Sequence, residues 1–269
     1  MLLNTYRYYP IIVNKLYDHD RAYIFQNEDG RIIFAIPYEG EFTLIGTTDQ
    51  DFHGNPGEVC ISPEETEYLC SAASEYFSQA ISLDMVVSSF SGIRPLFDVG
   101  KSDAKAATRD YVLKLDSGNN EAPLLSIFGG KITTYRKLAE SVLEKVAPFL
   151  PPMAKPWTEQ SYLPGGDFHP HEFEQEVQQL LTGCPVIDKK LATRLIRNYG
   201  SCAPEITGAV KIKGDLGTHF GHDLYSVEVD YLITNEWARC AEDVLWRRSK
   251  LGLFLSKEEA DTLDGYIKK

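Results

Sequence analysis

Residues 123–146 read PLLSIFGGKITTYRKLAESVLEKV, and this stretch does most to decide the fold. Its first six residues form a short apolar run of the kind that makes a buried strand. The paired glycines Gly129 and Gly130 follow, and apolar residues then recur at helical spacing from about Tyr135 to Val146. A strand, two glycines and a helix start together bring backbone amide groups to the edge of a sheet.

The chain upstream of this stretch is mostly strand, from Ile11 to about Leu96. Short runs of β-branched and aromatic residues alternate with turn signals, and Asp29-Gly30 between two such runs predicts a β-hairpin. Ser62 followed by Pro63 and two acidic residues predicts the start of a helix. We therefore expect an α+β fold whose sheet is mostly antiparallel.

The pattern changes near residue 155. Pro151, Pro152 and Pro156 form a stiff linker, and the segments beyond it have mainly helical spacing. We therefore predict an α+β region over residues 1–155 and a small all-α domain over residues 156–269.

Composition limits the classes of function. The 39 acidic side chains outnumber the 27 basic ones, for a net charge of -12, which argues against a general nucleic-acid binder. No run of about 18 apolar residues is present and the first residues lack a basic leader, so we expect a cytoplasmic protein. The 5 cysteines are widely spaced without a C-x-x-C pair, and reduced thiols are the simplest interpretation.

Six segments carry a resemblance to a known family. The most specific is SIFGGKITTYRKLAE at residues 126–140. The others are AYIFQNEDGR (22–31), IGTTD (45–49), FSGIRPL (90–96), ATRDY (107–111) and AEDVLWRRSK (241–250). On these motifs, which keep the order of the family, the sequence resembles the carboxy-terminal portion of aerobic, FAD-dependent glycerol-3-phosphate dehydrogenases.

The resemblance implies a fold, a reaction and a set of residues. The fold is a D-amino-acid-oxidase-like substrate domain, in which residues 1–155 form a substrate-binding and flavin-closing region, followed by a helical carboxy-terminal domain over residues 156–269. The reaction is oxidation of sn-glycerol 3-phosphate to dihydroxyacetone phosphate by hydride transfer to FAD, with electrons passed to a quinone. On the matching motifs the catalytic residues are Arg94, Arg109 and Lys131, and the substrate-binding residues are Arg94, Lys131 and Thr48. Guanidinium and ammonium groups suit a phosphate, although a solvated surface charge is the alternative for any lone arginine.

The same resemblance implies the cofactor-binding residues, which are Gly129, Gly130, Lys131, Ile132, Thr133 and Thr134. Glycines let the backbone approach a flat ring because no Cβ intervenes. Free N–H groups of residues 131–134, at a helix start with about half a positive charge, would point at the flavin C2 carbonyl. The alternative is simply a tight turn between a strand and a helix.

Two departures from the family limit what this chain is expected to do alone. It contains no G-x-G-x-x-G unit for the adenine dinucleotide, and Pro10 stands where the family has a histidine. We therefore expect that the chain lacks bound FAD and is inactive without the dinucleotide-binding half.

Other interpretations stay open. The chain could serve as a non-catalytic module, or belong to another hydroxyl- or amine-oxidising flavoprotein of the same architecture. A homodimer through an exposed sheet edge and a peripheral contact with the inner face of the cytoplasmic membrane are further expectations. No metal is expected, and surface positions are predicted for His169, His171, His219 and His222.

Overall fold

The computed structural model describes residues 3–46, 49–52, 54–97, 110–118 and 121–269. The chain forms two compact units, residues 1–159 and residues 160–269. The elements of the first unit are β1 (Leu3–Tyr8), β2 (Ile11–Asn14), β3 (Tyr23–Gln26), β4 (Ile32–Tyr38), β5 (Phe42–Gly46), β6 (Asp49–Asp51), α1 (Pro63–Ser74), β7 (Val86–Ser89), β8 (Gly92–Phe97), β9 (Val112–Asp116), β10 (Leu124–Phe128) and α2 (Tyr135–Val146).

The main sheet of the first unit has five strands in the order β3-β4-β5-β2-β7, and every neighbouring pair is antiparallel. The predicted hairpin at Asp29-Gly30 joins β3 to β4 and is confirmed. Helix α1 packs on this sheet, and its Leu69 is fully buried with Ile11 and Ile45. The helix begins as predicted at Ser62, whose side chain accepts from the backbone of Glu65 in a capping box.

Two smaller sheets complete the first unit. Strand β1 lies between β6 and β8, and β9 pairs with β10; all three pairings are antiparallel. Strand β1 was not expected, because the sequence analysis placed the first strand at Ile11. Pro10 separates β1 from β2 and is buried. It packs so closely on Gly46 that a Cβ there would lie 2.8 Å from the Pro10 Cα.

The second unit is helical apart from a short two-stranded ribbon. Its elements are α3 (Phe173–Gly183), α4 (Lys189–Tyr199), α5 (Ala203–Thr207), β11 (His219–Gly221), β12 (Leu224–Tyr225), α6 (Ser226–Asn235), a π-helical segment (Asp243–Arg248) and α7 (Lys257–Ile267). The core contains fully buried Leu224, Leu232 and Leu263. Helix α6 ends at Asn235, and Trp237 just after it adopts φ 57, a backbone conformation that does not continue a helix.

A buried network of charged and polar side chains joins α4 to α6 in the second unit. Arg194 of α4 donates to both carboxylate oxygens of Glu228 at 2.7 Å, and Tyr199 donates to the same carboxylate at 2.7 Å. Burial, and then the Glu228 carboxylate, raises the pKa of the Tyr199 hydroxyl. Burial opposes ionisation of Asp223, but the neighbouring Arg194 guanidinium holds the pKa of that carboxyl below its usual value.

Candidate functional site

The turn between β10 and α2 has the backbone that the paired glycines predict. Gly129 has φ 68 and Gly130 has φ 98, a region that side chains rarely tolerate. A 3₁₀ turn over Ile132–Thr134 then runs directly into α2, which begins at Tyr135 as predicted. The turn is exposed, and 86% of Ile132 is accessible to solvent. The backbone here is therefore open to a ligand.

The supply of free amide groups at this helix start is smaller than the sequence analysis predicted. The backbone N–H and the hydroxyl of Thr134 each donate to the Lys131 carbonyl at 3.0 Å. The prediction that residues 131–134 all offer a free N–H is therefore wrong for Thr134. The first amides of a helix have no acceptor within the helix, so Ile132 and Thr133 retain the predicted character.

Tyr111, which directly precedes β9, packs against one side of the turn. A Cβ added to Gly130 would lie 3.3 Å from the Tyr111 Cβ, so this glycine also permits close packing. The Tyr111 hydroxyl lies 3.1 Å from the Ser141 hydroxyl of α2. The glycines can thus serve both as a tight turn between a strand and a helix and as a surface for a cofactor, because one side of the turn is packed while its other side is open.

Several apolar side chains of β10 and α2 are exposed. No residue of α2 is buried, and Tyr135 and Leu143 are 46% and 47% exposed. On β10, Leu124 is 64% exposed and Ile127 is 48% exposed, so the prediction of a buried strand is wrong. Exposed apolar side chains of this kind suit contact with a flat aromatic ring or with a packed domain.

Arg94 lies on β8, opposite Tyr6 of β1, and is half-buried. Its guanidinium carbon is 5.0 Å from the ring centre of Tyr8. Strand β8 contacts β10, whose end leads to the exposed Lys131. The structure thus brings the strand of Arg94 beside the strand that ends at the glycine turn. Thr48 and Arg109, the remaining predicted site residues, lie outside the described residues.

The histidines differ from one another. His219 is exposed, and His169 and His171 stack on each other with ring centres 5.3 Å apart. His222 does not fit the surface prediction, because only 18% of its side chain is exposed and its Nδ1 lies 3.0 Å from Asp223 Oδ1. Within the described ranges, no group of three histidine, cysteine or acidic residues has the arrangement of a metal site.

Residues 2–136 match the family model described as FAD dependent oxidoreductase, which is half of the chain. The chain belongs to the FAD-dependent oxidoreductase family. Residues 156–268 of the chain match a second model, the C-terminal domain of alpha-glycerophosphate oxidase. Together the two models confirm the α+β fold with a helical domain at its carboxy-terminal end. In the part of the chain that the structure describes, no helix is long and apolar enough to cross a membrane.

Several relatives of the chain are named as dehydrogenases of polyol phosphates. Glycerol-3-phosphate dehydrogenase of Pseudomonas aeruginosa is 49% identical over 96% of the chain, and aerobic glycerol-3-phosphate dehydrogenase of Escherichia coli is 40% identical over 96%. D-erythritol 1-phosphate dehydrogenase of Brucella abortus is 42% identical over 93%. The chain spans about half the length of these relatives, 50%, 51% and 49% respectively.

A solved structure shares the fold of this family member. The glycerol-3-phosphate dehydrogenase from Bacillus halodurans, complexed with FAD, superposes with a TM-score of 0.73 at 23% identity. The match covers 99% of this chain and 56% of that one. The resemblance predicted from the motifs is confirmed at the level of family and fold.

Proposed function

We propose that this chain supplies the substrate-binding and flavin-closing face of an enzyme that oxidises sn-glycerol 3-phosphate to dihydroxyacetone phosphate. The observation that carries the proposal is the contact between the strand that bears Arg94 and the strand that leads to the exposed turn before Lys131. Arg94 stands on β8, which contacts β10, and Lys131 follows the glycine turn at the end of β10. Family membership and the names of the relatives support the same reaction.

Arg94 and Lys131 would bind an anionic substrate in different ways. The planar guanidinium of Arg94 suits two parallel hydrogen bonds to phosphate or to the oxygen at carbon 2, and the Lys131 ammonium adds a compact charge. Fixing the substrate between them would orient the hydrogen of carbon 2 for removal. Arg109 would support this site by orientation or by its field, and Thr48 would line its substrate side.

The turn fits the ring end of FAD, which when bound supplies the acceptor of the hydride. The amides of Ile132 and Thr133, at the positive end of α2, would stabilise negative charge on the ring. The exposed Ile132 side chain suits contact with the flat ring system. No described residue forms the G-x-G-x-x-G unit that binds the adenine dinucleotide. We therefore propose that this chain does not retain FAD by itself.

Oxidation of a longer polyol phosphate is the second candidate. The relative named for D-erythritol 1-phosphate is 42% identical to this chain, within the range of 40% to 49% of the Escherichia coli and Pseudomonas aeruginosa enzymes named for glycerol 3-phosphate. Both substrates present a phosphate, so Arg94 and Lys131 serve either one. A quinone acceptor, a cytoplasmic location with peripheral membrane contact, and a homodimer accompany the proposal.

Co-expression with the amino-terminal half of the Pseudomonas aeruginosa relative tests the proposal. The chain is expected to co-purify with that half and with FAD, and the flavin is expected to bleach without oxygen when glycerol 3-phosphate is added. Faster bleaching with D-erythritol 1-phosphate would favour the second candidate. A colourless complex, or a flavin that neither substrate reduces, would favour a non-catalytic module instead.

A further inference from the structure

The helical unit contains a cavity of about 440 Å³, which lies within the size range of small-molecule sites. Its lining includes the loop around Gly165, the last turn of α4, and Tyr231 and Glu236 at the end of α6. All of these residues belong to the second unit. The residues assigned to the proposed reaction all belong to the first unit, so the cavity is built without them.

Backbone contacts hold the loop in place at one wall of the cavity. Gly165 and Gly200 have φ 81 and φ 56, and a side chain on either glycine would collide with the backbone of the facing segment. The Ser201 N–H donates to the Gly165 carbonyl at 3.2 Å. This wall is therefore made of closely packed main chain and is preformed.

Two helix ends bring partial negative charge to the cavity. Helix α4 ends at Tyr199 and helix α6 ends at Asn235, and the last residues of both helices line or adjoin the cavity. The carboxyl end of a helix carries about half a negative charge. Glu236, which follows α6 and lines the cavity, adds a half-buried carboxylate.

Carboxylates near the cavity act in the same direction. Burial, and then the charges of Glu205 and Asp167, raise the pKa of the Cys202 thiol, which lines the cavity. Burial also raises the pKa of the Tyr231 hydroxyl, and the neighbouring thiol and carboxylates, Glu236 among them, raise it further. In the part of the chain that the structure describes, neither Glu205 nor Glu236 forms an ion pair. No lysine or arginine there balances these two charges.

Two arginines lie close to these groups, and they do not cancel the negative charge. Arg248 donates to the Glu236 carbonyl at 2.6 Å, but its own charge is paired with Asp243 at 3.1 Å. Arg197 lines the cavity from an exposed position in the last turn of α4. Arg197 is thus one positive charge beside the three carboxylates named above.

Aromatic rings supply much of the apolar lining. Phe168 and Phe173 pack against the core of the unit and keep part of their surface exposed. The rings of Tyr199 and Tyr231 meet edge to face, with centres 5.5 Å apart. The faces of such rings attract cations, and their carbon atoms cover an apolar stem.

We propose that this cavity binds a small organic amine in its protonated form, with the Glu236 carboxylate as the counter-ion of the ammonium group and the aromatic residues around its apolar stem. The carboxylates, the helix ends and the rings all favour a cation over an anion or a neutral group of the same shape. The inference gives the helical unit a binding site of its own and does not depend on the proposed oxidation.

Calorimetric titration of the full chain near neutral pH tests the proposal with three probes of similar shape. Hexylammonium is positive, hexanol is neutral and hexanoate is negative. Glu236→Gln removes the proposed counter-ion and keeps the size of the side chain. Asp261→Asn is the control, because it removes an equal charge from an exposed position of α7. The indole N–H resonance of Trp237, assigned with Trp237→Phe, locates the bound probe because Trp237 follows Glu236 in the chain.

Hexylammonium is expected to bind about 10-fold more tightly than hexanol or hexanoate, and to shift the Trp237 resonance. Glu236→Gln should weaken its binding by about 3- to 10-fold, the effect of losing a charged hydrogen-bond partner at a partly exposed position. Asp261→Asn should leave the affinity unchanged. Absence of binding, equal affinity for the three probes, or tighter binding of hexanoate would overturn the inference. Binding of hexylammonium that Glu236→Gln leaves unchanged would overturn it as well.

Discussion

Arg194 and Glu228 form a two-pronged ion pair inside the helical unit, with Nη1 and Nη2 each 2.7 Å from a carboxylate oxygen. Only 14% of the Arg194 side chain and 3% of the Glu228 side chain are exposed. The pair joins α4 to α6, two helices that are 34 residues apart at this contact. Removing one partner would leave the other charge buried without its main counter-ion.

Arg194→Met is therefore expected to lower the free energy of unfolding by about 3–5 kcal/mol, the usual cost of breaking a buried pair. Urea unfolding followed by circular dichroism measures the change. Arg247→Met is the control, because that side chain is 52% exposed in its pair with Glu242 and its loss should change the free energy of unfolding much less. Equal effects of the two substitutions would contradict the structural role of Arg194.

Acid should weaken the π-helical segment through Asp243. The backbone N–H of Arg239 donates to its carboxylate at 2.8 Å, and this bond, with the Arg247 guanidinium, lowers the pKa of Asp243 from 3.8 to about 2. A group whose pKa falls on folding stabilises the fold above its unfolded pKa, and that stability is lost as the pH drops. The urea concentration at the midpoint of unfolding should therefore decrease as the pH is lowered from 3.8 to about 2.

Asp243→Asn should flatten this part of the pH profile, because the amide does not titrate. The comparison is made between the slopes of the two proteins over the same pH range. Asp261→Asn supplies the control at an exposed aspartate of α7. A slope in the Asp243→Asn protein as steep as that of the unaltered chain would show that other carboxyl groups control the acid response.

Replacing two glycines of the helical unit by alanine should change the stability in opposite directions. Gly200 has φ 56 and lies so close to Gly165 that a Cβ would collide with the Gly165 carbonyl. Gly200→Ala should therefore lower the free energy of unfolding by about 1–3 kcal/mol. Gly265 lies within α7 with nothing near its Cβ position, so Gly265→Ala should stabilise by about 0.5–1 kcal/mol. Thermal unfolding of both proteins would reveal the predicted opposite signs.

Local signals in the sequence were sufficient for much of the fold. The capping residue Ser62, the Asp29-Gly30 hairpin and the span of α2 are confirmed because each depends on neighbouring residues. Strand β1 was missed because it forms by pairing with β6 and β8, which are far along the chain. The close approach of Gly165 to Gly200 was hidden for the same reason. The division at residues 155 and 156 stays a prediction.

The site followed the same rule. The glycine turn could be predicted from one motif, and the resemblance supplied Arg94 and Lys131. The hydrogen bond from the Thr134 amide to the Lys131 carbonyl could not be predicted from the sequence, since it depends on the 3₁₀ geometry of a single turn. Tyr8 gave no signal, because its contact with Arg94 exists only through the register of β1 against β8. The roles of the site residues remain predictions.

The central claim is that cations of this chain bind the substrate phosphate, and the rate of flavin reduction tests it most directly. The measurement uses the co-expressed complex with the amino-terminal half and compares Lys131→Gln with Lys145→Gln, an exposed lysine near the far end of α2. Lys131→Gln should lower the second-order rate constant for glycerol 3-phosphate by about 10- to 100-fold, since a hydrogen bond to a charged group contributes about 1.5–3 kcal/mol. Lys145→Gln should leave it unchanged. Equal rates in the two variants would contradict the claim.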